Sequence, residues 1–367
     1  MISFPTSIAA IEERIQAIRP KEYGYTRNYR EGAVTYLSPY ISRGVISTRT
    51  VWENLKTRAV PWHEMEKLVQ ELAWRDYFQK VAIEKDVNVD IRQKQPNALN
   101  TGVPTSIIEA GTGINAIDHA IQQLYQTGYM HNHFRMYVAS LACNLGKCHW
   151  KIPAQWMYYH LLDADWASNA CSWQWVAGAN SSKKYYANQE NINKFDKTHQ
   201  VATFLDTSTE LLSTLSTPPA LKDVQQWSAS CPLPQYPLPR LKAHLPVILY
   251  TPYNLDPYWK KDIEANRVLL LDEAHFGSYP VSEKTLAFIV ALAQNIPGIQ
   301  IYAGRFEELK NASPGSEIYF KEHPFFNHYN GHREERDWLA PSVKGYFPSF
   351  FAYWKRVEKI IKEEYAG

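Results

Sequence analysis

The apolar residues of this chain change period once, and that change limits what it can fold into. Up to about residue 200 they recur at helical spacing, in long stretches joined by short Gly, Pro and Asn punctuation. From 205 to 243 the period disappears. Ser and Thr runs give way to Pro218, Pro219, Pro232, Pro234, Pro237 and Pro239, the composition of an extended linker. Beyond it PVILYTPY, RVLLLDE, IQIYAG and EIYF are short apolar runs suited to buried strands, and EKTLAFIVALAQN between them has helical spacing. The tail, FPSFFAYWKRVEKIIKEEY, reads as a closing helix. The pattern predicts a mainly α fold followed by a smaller α/β, Rossmann-like domain. The expected boundaries are 1–204 for the helical domain, 205–243 for the linker and 244–367 for the α/β domain.

A formal net charge of +2 excludes a general polycation, so any nucleic-acid site must be a local basic patch. The N-terminal MISFPTSIAAIEERIQAIR has Glu12 and Glu13 interrupting its apolar residues and reads as an amphipathic helix, not a signal peptide. With no span-length apolar run, a cytoplasmic protein without membrane association is expected. Cys143 and Cys148, beside His149, lack a CxxC spacing, and all four cysteines read as buried reduced thiols.

Three helical stretches carry unusual inner faces. In ELAWRDYF, Glu71, Trp74, Arg75 and Phe78 share one face, where a core stripe would be apolar throughout. An acid, an indole and a guanidinium together suit a polar pocket wall; a solvated salt-bridging face with one stray Trp is the competing reading. In YMHNHFRMYVASLACNLGKCHW, Asn132, Arg135, Met136 and Ala139 share a face. His131 and His133 would point to different sides of a helix, so no metal is expected there. In LLDADWASNACSWQWVAG, Asp163 and Asp165 precede a helix on which Asn169 and Trp173 follow Asp165 at steps of four. One acid suffices as an N-cap, while the second, with an amide and a Trp, suits a ligand of several polar atoms. Upstream, TYLSPYISRGVIS sets Thr35 and Ser38 before a helix. Such an entry suits a phosphate, and equally serves as an ordinary cap.

Taken in order, these segments resemble the FAD-binding domain of the DNA photolyase/cryptochrome family. The matching pieces are Tyr23 with Arg27-Asn28, TYLSPYISRGVIS, ELAWRDYF, MHNHFRM, Trp150, LLDADWASNACSWQW and NKFDK, spread over about the first 200 residues. The resemblance implies FAD as cofactor. Tyr23, Thr35, Leu37 and Ser38 would hold its phosphate and ribose region, and Arg75 would sit near it. Arg135 would pair with Asp163 beside the flavin ring, Asp165 would contact polar cofactor atoms, and Asn169 would face flavin N5. Asn132 and Met136 would line the cavity between cofactor and substrate. Glu71, Trp74 and Trp175 match the substrate side of cyclobutane-dimer photolyases: a desolvated Glu71 hydrogen-bonding a pyrimidine carbonyl, and two indoles walling flipped bases. Trp173 and Trp150 match the inner members of the family's electron-hopping chain; core packing is the plainer use of each.

The resemblance implies light-driven splitting of pyrimidine dimers in single- or double-stranded UV-damaged DNA, with a cryptochrome-like photoreceptor acting on a protein partner as the alternative. Three departures bear on it. The flavin-domain motifs start almost at Met1, and the α/β segment after residue 245 has the character of the family's antenna module, expected as a relocated version whose pigment is open. No Trp occurs between Val89 and Asn100, where the outermost hopping residue would stand. His133 replaces an arginine that contacts DNA phosphate in many dimer photolyases, with Arg92, Lys94, Lys183 and Lys184 as candidate substitutes. Oligomeric state is left open.

Overall fold

A computed structural model describes residues 2–366. The chain divides into two compact units that interleave in sequence. One comprises Arg19–Val34 and Glu84–Ala229 with Ile2; the other comprises Ser3–Ile18, Thr35–Ile83 and everything from Ser230 onward. This division cuts the chain elsewhere than the module boundaries expected at 204 and 243.

The first unit is helical. Its helix Asn115–Thr127 buries Ile117, Ala120, Ile121 and Leu124, one stripe at helical spacing, and ends at Gly128 with φ 72°. That left-handed position favours glycine, and a Cβ there would meet Leu162 Cγ at 2.6 Å. Asn132–Ala139 runs directly into the π-helical turn Ser140–Leu145, all of whose residues are buried. Trp166–Ala177 starts on Asp165, whose carboxylate accepts from Ser168 N at 3.1 Å, and stops at left-handed Gly178. The Pro/Ser/Thr-rich stretch is not extended throughout. Ser208 caps a helix Thr209–Thr214, and Val224–Gln225 pairs antiparallel with Val103–Pro104. Leu212 and Leu221 are fully buried, and burying them offsets the entropy of fixing that stretch.

In the second unit a five-stranded parallel sheet is built from Val247–Tyr250, Asn266–Asp272, Gln300–Gly304, Ile318–Lys321 and His332–Glu334. Numbered along the chain, their order is 3-2-1-4-5, so the direction of strand succession reverses between the first and fourth. The fifth strand, with two exposed residues, had no apolar run to announce it. Val247–Tyr250 is buried throughout, as a central parallel strand requires. One side of the core holds Val247, Leu249, Val268, Leu270, Phe306 and Phe320. Sheets of this order receive ligands outside the carboxyl ends of the strands where the order reverses. Here the chain itself lies against that edge. Arg43, 1% exposed, donates to Pro252 O at 3.3 Å and sits 5.3 Å from the Tyr253 ring. Gly44, at φ 61°, packs so close that a Cβ would lie 2.2 Å from Tyr253 O.

This attachment explains why Thr35–Ile83 belongs with the sheet. Helix Trp62–Glu84 adds a buried polar link: Asp76 accepts from Thr48 Oγ1 at 3.0 Å and from Leu339 N at 2.7 Å. The closing helix is Phe350–Ala366, as its spacing predicts. Among the described residues no helix is long and apolar enough to cross a membrane.

Candidate flavin and substrate site

The predicted site residues divide between the units, and each group is described within its own. The second unit holds Thr35, Leu37, Ser38, Glu71, Trp74 and Arg75; the first holds the rest.

In the second unit, Ser38–Ser42 forms a short helix entered from Tyr36 at φ 54° and Leu37 in the right-handed region. A left-handed residue next to a right-handed one turns successive N–H groups to one side, which makes a nest for an anion. A tyrosine in this backbone region costs on the order of 1–2 kcal/mol, and such strain marks functional turns. Leu37 N donates to Thr35 Oγ1 at 3.4 Å, and Arg75 donates to Ser38 O at 3.2 Å and to Ser42 Oγ. The nest, two hydroxyls and a guanidinium suit a diphosphate.

Glu71 and Trp74 lie on the same helix as Arg75, and both are half-buried, so Glu71 is less desolvated than the sequence reading supposes. Trp74 is not a bare wall. Phe350 stacks on it with centroids 3.6 Å apart and planes at 8°, because the closing helix brings its first residue onto that face. Phe78 adds a tilted contact at 5.2 Å.

In the first unit Arg135 Nη2 donates to Asp163 Oδ2 at 3.0 Å, with Asp163 5% exposed, and Arg135 Nε donates to Met130 O at 2.8 Å. Asn169 donates its amide N–H to Ala154 O at 2.8 Å, which makes its oxygen the atom offered elsewhere. Ser168 Oγ, one residue earlier, is inaccessible and has no hydrogen-bond partner. An ion pair and an amide oxygen fit the polar edge of a flavin. Asp165 is the N-cap of its helix. Tyr23 and Met136 are half-buried, while Asn132 is exposed.

Helix Trp166–Ala177 carries Asn169, then Trp173 at 2% exposure and Trp175 at 42%, with Tyr185 tilted beside Trp175 at 5.9 Å. Arg92, Lys94 and Lys183 are exposed. Lys184 is a correction: its ammonium is buried, and burial lowers its pKa, so it is not a surface phosphate contact. Trp150 is fully buried, its indole N–H on Asp90 Oδ1 at 2.7 Å, and Trp166 is tilted 6.2 Å away. Sequence reasoning missed both Asp90 and Trp166. Trp166 had a signal, an indole directly after the Asp165 cap; Asp90 had none, since nothing local distinguishes it. Cys143, Cys148 and Cys171 are buried and unbridged, and burial pushes the Cys148 thiol up to about 12.

Residues 68–241 match the family model for the FAD-binding domain of DNA photolyase. That match takes in just under half of the chain, which over these residues is similar to the FAD-binding domain of DNA photolyases. An Agrobacterium fabrum protein named deoxyribodipyrimidine photo-lyase is 31% identical over 178 residues, covering 42% of this chain and 36% of its own. The cryptochrome DASH of Danio rerio is 33% identical over 167 residues, covering 42% of this chain and 32% of its own. The chain therefore spans about a third of the length of these relatives. The solved Synechocystis sp. PCC6803 cryptochrome aligns with a TM-score of 0.48 at 25% identity, over 53% of this chain and 44% of that one.

His133, which the resemblance sets in place of a phosphate-contacting arginine, differs from arginine in charge as well as shape. Burial pushes both His131 and His133 down to about 4, so neither is a cation at neutral pH. His131 is 5% exposed. Its folded pKa lies below the unfolded value near 6.5, so the unfolded chain binds the proton more readily. Stability is therefore complete above about pH 6.5 and falls as pH drops toward 4, by roughly 3 kcal/mol for this one group. Urea midpoints across that range test this, and His131→Gln should flatten the slope.

Proposed function

We propose that this protein repairs UV-damaged DNA by light-driven splitting of cyclobutane pyrimidine dimers. When bound and reduced, FAD supplies a light-activated electron for that cleavage. The turn at Tyr36 and Leu37, with the Thr35 and Ser38 hydroxyls, holds the diphosphate, and Tyr23 and Arg75 complete that grip. Arg135, held by Asp163, presents a fixed guanidinium to the polar edge of the flavin. Asn169 offers its oxygen to the N5 hydrogen of the reduced ring, and Asp165 contacts polar cofactor atoms. Glu71, protonated, donates a hydrogen bond to a pyrimidine carbonyl; Trp74 and Trp175 each offer a flat face to a flipped base; Asn132 and Met136 are substrate-side residues of the first unit. Trp173 and Trp150 carry electrons inward to restore the reduced cofactor.

The observation that carries this reading is the single helix Trp166–Ala177. It bears the flavin-side amide, a buried indole and then an exposed indole, Trp175, that no core contact requires. Exposed aromatic surface of this kind suits stacking of a base. One observation favours the second reading, a cryptochrome-like blue-light photoreceptor acting on a protein partner: Phe350 already covers a face of Trp74.

The test is recovery of thymine absorbance from dimer-containing oligonucleotides, single- and double-stranded, in blue light against dark, with FAD bound and reduced. Light-dependent recovery is expected, and Glu71→Ala should lower repair per photon roughly tenfold, the worth of one hydrogen bond donated by a protonated carboxyl, with FAD retained. No recovery with fully reduced FAD would leave the photoreceptor reading in its place.

A further inference from the structure

Trp150 is the most enclosed of the aromatic residues assigned to electron transfer, and its surroundings are polar in one specific way. Its indole N–H donates at 2.7 Å to Asp90 Oδ1. The other carboxylate oxygen accepts from Gln95 N at 2.8 Å, and Gln95 Oε1 accepts from Trp150 N at 2.8 Å. Gln95 is 3% exposed and donates its amide to Cys148 O at 2.8 Å, so one buried residue fixes both partners, Asp90 through its backbone N–H and Trp150 through its side chain. His149, its ring tilted 35° to that of Trp150 with centroids 5.6 Å apart, places Nε2 3.4 Å from the same Asp90 oxygen. The Asp90 side chain is 18% exposed, so the carboxylate touches the indole on one side and water on the other. The segment Val89 to Asn100, which has no Trp to extend the hopping path, instead supplies the base and the clamp for Trp150.

We propose that Asp90 is the proton acceptor for Trp150 when its indole is oxidised. The inference rests on the proposed function for its oxidant, the light-excited flavin, with Trp173 as the intermediate donor. One electron leaves the indole, which becomes a radical cation. The N–H bond then breaks, its electron pair stays on nitrogen, and the proton passes to the Asp90 carboxylate, leaving a neutral indole radical. An external one-electron donor such as a thiol later reduces that radical, and the proton returns.

Physical grounds favour this site over its neighbour. An adjacent carboxylate stabilises positive charge on an indole, and an oxidised indole is a far stronger acid than a neutral one. Trp166, 6.2 Å from Trp150, donates its N–H to Asn88 Oδ1 at 3.0 Å, a neutral amide that accepts a hydrogen bond but is a poor base. The hole therefore settles on Trp150, and losing the proton prevents the electron from simply returning. Deprotonation does here what a further outward hop does elsewhere: it makes charge separation last.

Flash excitation of the FAD-loaded protein, without DNA, tests this through the visible absorption of tryptophan radicals, whose cation and neutral forms differ. The wild type should convert cation to neutral radical, more slowly in deuterated water. Asp90→Asn keeps an acceptor for the indole N–H but removes the base. It should hold the radical as the cation and cut the yield of long-lived radical on the order of a hundredfold, the low end of what a positioned base contributes. Asp90→Glu should recover much of that loss, which a merely structural role would not predict. A neutral radical forming at the wild-type rate in Asp90→Asn overturns the proposal, as does the absence of any indole radical in the wild type. The latter result beside light-dependent dimer splitting would sink only Asp90's role. An intact radical sequence without dimer splitting would sink only repair.

Discussion

Asp163→Ala is expected to leave the purified protein without FAD and to cost about 3–5 kcal/mol of stability, the range for breaking a buried ion pair by removing one partner. The carboxylate is 5% exposed and accepts from Arg135 Nη2 at 3.0 Å. Arg135 has other anchors: Nε donates to Met130 O, and the guanidinium lies 5.7 Å from the Tyr129 ring. These hold the side chain in place after the carboxylate is gone. The cation then stays in place without its counter-charge, which leaves uncompensated positive charge at the flavin edge. Asp163→Asn separates the two effects. It keeps the shape and one acceptor, so stability should fall less, while cofactor retention still suffers. The measurements are the ratio of flavin to protein absorbance after purification and the urea midpoint. Stoichiometric FAD in Asp163→Ala would remove the pair from the cofactor site and leave it a structural bridge.

Asp76→Ala is expected to destabilise the second unit by a similar amount, about 3–5 kcal/mol, with no direct effect on chemistry. Its carboxylate accepts from Thr48 Oγ1 and Leu339 N, residues 28 and 263 positions away along the chain. Lys80, 7% exposed, lies one turn on, with its ammonium 4.1 Å from the Trp338 ring. Arg336 joins the group by donating to Gln79 Oε1 at 2.7 Å and lying 5.1 Å from the same indole. Alanine would leave a backbone N–H and an enclosed ammonium short of an acceptor and a counter-charge. Burial is the largest influence on the carboxyl and raises its pKa, outweighing the hydrogen bonds and nearby cations. The neutral isostere Asn should therefore be tolerated better than Ala. Denaturant unfolding of the two variants tests this. A loss under about 1 kcal/mol for Asp76→Ala would mean that water replaces the carboxylate freely, as at an exposed pair.

Some site residues were legible because the helix repeat alone puts them together. Glu71, Trp74 and Arg75 share a face by spacing, as do Asn169 and Trp173, and the Asp165 cap follows from residue type at a helix start. The Arg135–Asp163 pair was reached only through the family resemblance, since its members stand on different segments. The Trp74–Phe350 stack, the Asp90–Trp150 hydrogen bond and the Arg43–Tyr253 contact were not legible at all. Each joins residues far apart in sequence, and no local pattern encodes such a pairing.

The division follows from what fixes each level. Periodicity, caps and left-handed glycines are set by the backbone of a few consecutive residues. From these the sequence alone determined the helical first half, the strand-rich second part, the closing helix and the motif order that marks a flavin domain. Which segments share a core depends on burying apolar surface against partners hundreds of residues away. Only the tertiary structure could decide that Thr35–Ile83 packs with the sheet, that Arg43 lies at the edge where such sheets receive ligands, and that Trp150 meets a carboxylate instead of another indole.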